Sequence, residues 1–441
     1  MSNPTTSAAP AGGGESIAPP SYFDEFECQR PEAREQRLMQ RLPQLIAQLQ
    51  DQGLAQAEML GRVEAQRINS RAALAGLPVT RKHDLMQRQH AAHASGGDPF
   101  GGFSAIGWQG LLRPHGARRV FQSPGPLYEP EGRAANYWRM ARALHAAGFR
   151  SGDLVHNSFS YHLTPAGAMM DGSAQALGCT VFPGGVGNTE QQLQAMLHLR
   201  PQAYTGTPSF LKILLERAIE HGHTLSLSKA LLSGEALPWE LHEWLRRQGV
   251  AAYQCYATAD LGLIAYETRA RQGLVLDEDL ILEIVRPGGT EPLPEGEVGE
   301  VVITNLNPDY PLVRFGTGDL SAVLPGTSLC GRTNTRLKGW LGRADQSAKV
   351  RGMFVHAGQV ADIARRLPEL GRLRLVVRGQ MSVDELVLRA ELLQQPAPEG
   401  LAARAAEVVR EVTRLRAEVE LLPPGSLPND GRLVDDTRPL P

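Results

Sequence analysis

The chain has 441 residues, 42% of them hydrophobic and 21% charged, and carries a formal net charge of −2 at pH 7. That length suits two or three domains, and the composition is ordinary for a protein able to bury a core. Acids and bases are mixed along the chain, so it has neither the basic footprint of a nucleic-acid binder nor a basic face for an anionic membrane, and no 18-residue apolar run marks a membrane span.

Cys28, Cys179, Cys255 and Cys330 lie far apart and form no C-x-x-C pair. This points away from a zinc ribbon or a disulfide framework and toward a reducing cytoplasm. Residues 1–20 are rich in Pro, Gly, Ser and Ala. They lack the basic and apolar regions of a signal peptide and are expected to form a disordered tail. From about Phe23 to His93 the pattern is that of amphipathic helices, with stops at Gly53 and Gly76 and no catalytic cluster. The stretch SGGDPFGGFSAIGWQG reads as loop.

From Arg133 onward helices alternate with short apolar runs. A helix through RAANYWRMARALHAAG, ending at Gly148, precedes the strand DLVHNSF. Helices near Pro165–Leu177, Glu190–Leu199, Ser209–His221 and Trp239–Gln248 precede the strands CTVFP, AYTG, KALLSGE and AAYQCYA. Strands separated by helices of this length pair through crossovers, which predicts a parallel sheet covered on both faces, in an α/β fold. Ligands of such sheets bind beyond the C-terminal strand ends. The residues there are GNTE, GTPS, GEAL and YATAD. Between about Leu263 and Leu324 the texture is β-rich, predicting an antiparallel or barrel-like subdomain. After Gly339 a split β-α-β pattern predicts a small terminal α+β domain. The expected division is a tail at 1–20, a large domain at 21–340 and a small one at 341–441.

The segments FQSPGPLYEP, GNTE, TGTPSFL, SGEAL, YATADLG, PLVRFGTGDL and GRADQSAKVRGMFVHAGQV stand in this order. Together they resemble the ordered motifs of AMP-forming acyl–CoA ligases, specifically the phenylacetate–CoA ligase branch, from about Val120 to the C-terminus. The resemblance implies the acyl-adenylate-forming (ANL) fold, in which a small C-terminal domain moves against a large AMP-binding domain. It also implies ATP/AMP, Mg2+ and coenzyme A as cofactors, and a small carboxylic acid as substrate. Such enzymes let the acid attack the α-phosphate of ATP, and CoA thiolate then attacks the acyl-adenylate. A homodimer is the default expectation for an enzyme of this size.

Residue by residue, the resemblance places Asp319 on the ribose hydroxyls, where a carboxylate with two acceptor oxygens can take both. A turn aspartate after Gly318 is the plainer alternative. Arg343 matches an arginine that contacts ribose or phosphate, and Asp345 the hinge. Tyr256 matches a tyrosine stacked on adenine, followed by Ala257 and Thr258, although a buried sheet-end tyrosine is as ordinary a role. Gly234 and Glu235 match a turn along the adenine. Asp260 replaces a magnesium-binding glutamate and is one methylene shorter. Tyr161 and His162 match part of the acyl pocket, and Lys349, Arg351 and Gly352 the loop that enters the site for thioester formation.

Three departures stand out. The phosphate loop of the branch reads approximately SSGTTGKP; here Ser123 and Gly125 survive, but the paired threonines and the lysine are gone. Pro124 and Pro126 remove two N–H donors from the loop. The C-terminal lysine of relatives is absent, leaving Arg432 as the nearest cation. The stretch YETRARQGLVLDED offers Glu267 but neither the cysteine nor the histidine of the branch, so no structural zinc is expected. Three readings follow: a complete aryl or arylalkyl acid–CoA ligase, an enzyme limited to the thioester-forming half-reaction, or a protein that binds nucleotide or acyl-CoA without catalysis.

Overall fold

The computed structural model describes residues 21–111, 113–124, 126–350, 353–380, 383–430 and 432–438. The expected tail, Gly125, Arg351 and Gly352 lie outside these, as do the side chains of Asp345 and Lys349.

The chain begins with helices Pro31–Asp51 and Ala55–Leu60, then a short strand β1 (Thr80–Arg81) and helix Lys82–Ala94. A hairpin follows, β2 (Arg119–Ser123) and β3 (Leu127–Glu131). Gln89 of the preceding helix, fully buried, exchanges two hydrogen bonds with the Tyr128 backbone at 2.8 and 3.0 Å and so fixes where the hairpin sits.

The next strands are β4 (Leu154–Asn157), β5 (Thr180–Pro183), β6 (Ala203–Gly206), β7 (Lys229–Leu232) and β8 (Ala251–Thr258), paired in parallel as expected. Strand geometry sends alternate side chains to opposite faces. Ala203 and Leu231 thus pack with Met140, Ala168 and Met169 of one helical layer. Tyr204, Ala230 and Leu232 pack on the other side with Leu211, Leu214 and Leu245. The four intervening helices run Ala166–Ala176, Thr189–Leu199, Pro208–Glu220 and Trp239–Arg247, close to the predicted spans.

The helix before β4 departs from expectation. It spans only Met140–Ala146, because Arg139 adopts a left-handed conformation (φ 61°). Its guanidinium reaches Asp277 at 2.9 Å and the carbonyls of Leu261 and Leu263, interactions remote in sequence that outweigh local helix propensity.

The β-rich region also divides differently. Strands β9 (Gly262–Glu267) and β10 (Leu274–Leu276) extend the large sheet in antiparallel fashion. Only β11 (Leu280–Val285), β12 (Gly299–Asn305) and β13 (Leu312–Ser321), with β1 added in parallel, form the separate sheet. Short strands β14 (Val323–Leu324) and β15 (Arg336–Leu337) complete a large sheet that is nine-stranded among the described residues.

Beyond it lie a hairpin, β16 (Ser347–Val350) and β17 (Met353–His356), helix Ala357–Arg366, strands β18 (Leu370–Gln380) and β19 (Val383–Leu392), helix Leu401–Thr413, and strands β20 (Ala417–Leu422) and β21 (Val434–Asp436). Residues from Ala348 to Val434 form a hydrophobic cluster of their own. Among the described residues no helix is long and apolar enough to cross a membrane.

Two buried electrostatic features carry consequences. Arg314 on β13 is fully buried and pairs with Glu283 at 2.9 and 3.0 Å, while also donating to the carbonyls of Ala75, Leu77 and Thr290. Removing one partner of such a pair strands the other charge, so Arg314→Met is expected to lower stability by about 3–5 kcal/mol in urea unfolding.

On the β2–β3 hairpin, Glu129 is fully buried and accepts a hydrogen bond from the Ser123 hydroxyl. Burial, reinforced by nearby Asp260, pushes its carboxyl from the ordinary 4.5 up to about 8. The folded state therefore holds a proton that the unfolded chain releases. The resulting stability is full below the ordinary glutamate range and is lost as pH rises through the folded value, at most about 1.4 kcal/mol per pH unit. Glu129→Gln, which keeps the acceptor for Ser123, is expected to flatten urea midpoints between about pH 5 and about pH 8.5. An unchanged slope would remove Glu129 as its source.

Candidate active site

The C-terminal ends of β4, β7 and β8 converge on a cavity of about 170 Å3. Its wall is mostly apolar, with Phe159, Pro165, Ala166, Met169 and Met170 on the loop and helix after β4. The polar groups come from Ser123 on the hairpin, Thr164 after β4, Ser233 after β7 and Thr258 at the end of β8. Gly234 and Ala257 line the same space. Ser123, Gly234, Ala257 and Thr258, expected around the nucleotide from separate segments, are thus brought together.

One residue before Ala257, Tyr256 donates its hydroxyl to Asp319 Oδ2 at 2.8 Å. Burial first, and the adjacent Asp319 second, hold the Tyr256 phenol well above its ordinary range, so it stays a neutral donor. Asp319 lies on β13 and is itself buried. Arg343 joins it from the segment after β15, with Nη1 3.2 Å from Asp319 Oδ1 and 3.2 Å from the Thr317 carbonyl. The two residues also form an isolated backbone bridge. Gly318 makes this approach possible: its φ is +73°, and a Cβ there would stand 2.6 Å from the Arg343 guanidinium. Tyr256, Asp319 and Arg343, separated by more than eighty residues of chain, are one constellation, joined to the cavity through Ala257, which follows Tyr256 in β8 and lines it.

A further donor to this cluster was not among the expected residues. Trp340 Nε1 donates to Asp319 Oδ1 at 3.1 Å, with the residue 52% exposed. No motif marks it; only its position three residues before Arg343 hints at a role. Phe159, Met169 and Met170 were likewise not anticipated. They belong to an ordinary apolar pattern, and only folding puts them on the cavity wall.

Other expected residues stand elsewhere. Glu235 is exposed and bonds Ser209 through its hydroxyl (2.9 Å) and amide (3.2 Å), tying the β7 loop to the start of helix Pro208–Glu220. Tyr161 bridges Asn157 (2.7 Å) and Asp171 (3.1 Å), and His162 is exposed; neither lines the cavity. Arg432 is exposed in the loop before β21, 3.6 Å from Asp435, and is not part of the cavity wall. Lys349 is on β16 and Asp345 in the turn preceding it.

Asp260 is buried and absent from the cavity wall. Its Oδ1 and Glu129 Oε2 have no hydrogen-bond partner among the described residues. Burial raises the Asp260 carboxyl, against a lowering influence of Lys82. No group of three or more His, Cys, Asp and Glu side chains among the described residues is arranged to hold a metal ion.

A family model described as AMP-binding enzyme matches residues 161–307. The phenylacetate-coenzyme A ligase of Thermus thermophilus is 34% identical over 385 residues, covering 80% of this chain and 83% of that protein. The phenylacetate-coenzyme A ligase of Pseudomonas putida is 31% identical over 336 residues, 72% of this chain and 73% of its own. Among solved structures, 2-hydroxyisobutyryl-CoA ligase in an open conformation, in complex with 2-HIB-AMP and CoA, superposes with a TM-score of 0.81 at 25% identity, covering 96% of this chain and 97% of that one. The same enzyme in its thioesterification state gives 0.66, also at 25% identity, over 97% of this chain and 95% of that one. Similarity in sequence and in fold extends over most of each chain, and the protein belongs to the AMP-forming acid–CoA ligase family of the AMP-binding enzymes, alongside the phenylacetate-coenzyme A ligases.

Proposed function

We propose that this protein converts a compact aryl or arylalkyl carboxylic acid, such as phenylacetate, to its CoA thioester through an acyl-adenylate, using ATP and releasing AMP and pyrophosphate. The observation that carries the reading is the Tyr256–Asp319–Arg343 constellation beside a small, mostly apolar cavity at the strand ends. In this reading Asp319 takes the ribose hydroxyls, and Ala257, Thr258 and Gly234 line the adenosine side. Phe159, Ala166, Met169 and Met170 enclose the acyl group. A wall of this kind favours an uncharged ring and offers no cation to a second carboxylate. Arg343 is placed to neutralise negative charge on ribose-linked phosphate.

Mg2+ is bound in such chemistry by one or two carboxylates together with substrate phosphates. Asp260 Oδ1, without a hydrogen-bond partner among the described residues, fits an oxygen-seeking cation, whereas Glu129 keeps a proton. Asp260 would hold the ion, which would offset phosphate charge. The segment around Trp340–Asp345 serves as the hinge between a large unit at 21–340 and a small one at 341–441. The better superposition on the open conformer supports a resting arrangement in which Arg432 and Lys349 stand away from the acid. Rotation of the small unit would bring each toward its half-reaction.

A second reading has its own support. Ser123, the surviving hydroxyl of the phosphate loop, is committed to Glu129, and Pro124 and Pro126 offer no N–H. A loop so depleted favours an enzyme whose thioester-forming half-reaction outruns its adenylation.

Pyrophosphate–ATP exchange across a panel of aromatic acids separates the two. Exchange with a ring-bearing acid is expected under the first reading. Silence, with thioester still formed from synthetic acyl-adenylate plus CoA, selects the second. Ala166→Phe is expected to abolish acid-dependent turnover while AMP still raises the melting temperature, because the added ring fills the acyl end alone. Asp319→Asn is expected to weaken AMP about 10- to 100-fold, since hydrogen bonds to a charged group are worth about 1.5–3 kcal/mol. Isothermal calorimetry reads this directly, and equal affinities would place the nucleotide elsewhere.

A further inference from the structure

Asp319 is crowded before any nucleotide arrives. Its Oδ1 accepts from Trp340 Nε1 at 3.1 Å and from Arg343 Nη1 at 3.2 Å, and its Oδ2 accepts from the Tyr256 hydroxyl at 2.8 Å. A carboxylate offers about four lone-pair positions, so three donors leave about one open. The two hydroxyls of a ribose need two. One of the present donors must therefore leave.

The surroundings decide which. Tyr256 is set in β8, held in antiparallel register with β9, and a buried phenol deprived of its acceptor is costly. Arg343 keeps a second hold on the Thr317 carbonyl and a backbone bridge to Asp319 itself. Trp340 has neither restraint. Its ring is half in solvent, so its N–H can exchange Asp319 for water. The backbone on both sides is pinned: Lys338 N donates to Ala322 O at 2.9 Å, Gly339 O accepts from the Ser321 hydroxyl at 2.7 Å, and Leu341 N donates to Leu320 O at 2.9 Å. The side chain can swing while these anchors stay.

We propose that Trp340 is the latch of the nucleotide site: its indole N–H satisfies Asp319 Oδ1 in the empty protein and yields that oxygen to a ribose hydroxyl when adenosine enters. The proposal rests on the reading that Asp319 receives the ribose. It makes Trp340 a positioning residue that competes with the nucleotide. A nucleotide with a single ribose hydroxyl fits the one open position and leaves the latch closed.

Tryptophan emission titrated with AMP and with 2′-deoxy-AMP tests this on the unmodified protein. AMP is expected to shift the emission; 2′-deoxy-AMP at saturation is expected to leave it unchanged. Equal shifts with both would overturn the latch, as would no shift with AMP at saturation. In Trp340→Phe, which keeps a ring but loses the donor, the AMP-dependent shift is expected to disappear and AMP to bind roughly 3- to 10-fold tighter, about the net worth of one hydrogen bond. Unaltered AMP affinity in that variant counts against competition. Asp319→Asn separates the two levels. If it leaves AMP affinity intact, the ribose is not at Asp319 and both readings fall. If it abolishes AMP binding while Trp340→Phe does nothing, only the latch falls.

Discussion

A buried carboxylate must find donors, and in this protein that requirement draws three distant parts of the chain to one point. Asp319 enters from β13, Tyr256 from the last turns of β8, and Arg343 and Trp340 from the segment that leads out of the large sheet. None of these elements is sequential with the next. Apolar contacts between these elements fix distance but not orientation. The hydrogen bonds add direction. They set the ring of Tyr256, the plane of the carboxylate and the approach of Arg343, and the cavity lined by Ala257 and Thr258 opens beside them.

The β2–β3 hairpin follows a different logic. Ser123 on β2 donates diagonally across the hairpin to Glu129 on β3, and Glu129 is buried near a second carboxyl, Asp260. Two carboxyls in a dry interior cannot both ionise cheaply, so a proton is retained. This part of the fold is thus built from buried carboxyls that share a retained proton and from proline, where a loop devoted to triphosphate would present N–H groups. Asp260 Oδ1 has no hydrogen-bond partner among the described residues.

Periodicity carried the elements whose apolar pattern is long and uninterrupted. The parallel strands and the helices between them were legible because alternation of period 2 and 3.6 is imposed by burial on two faces. Where a charged side chain bonds across the fold, local pattern misled. Arg139 ends what reads as continuous helix, because Asp277 and two carbonyls lie within its reach. The strand Gly262–Glu267 reads like its neighbours in the β-rich region yet pairs with β8 in the large sheet. Tyr161 and His162 follow β4 as expected, but Tyr161 is turned to Asp171, so the cavity wall is made by Phe159 and the helix beyond.

From the amino-acid order alone came the α/β architecture, the family and the short set of polar residues at strand ends, because these depend on local pattern and on motifs a few residues long. The order also exposed what the phosphate loop had lost, since proline's missing N–H is a covalent fact. Which of those residues share a cavity, which carboxyls keep a proton, and that a half-exposed tryptophan donates to Asp319 were decided by tertiary packing. Burial, hydrogen-bond competition and the approach of side chains far apart in the chain are properties of the folded arrangement, and no local stretch encodes them.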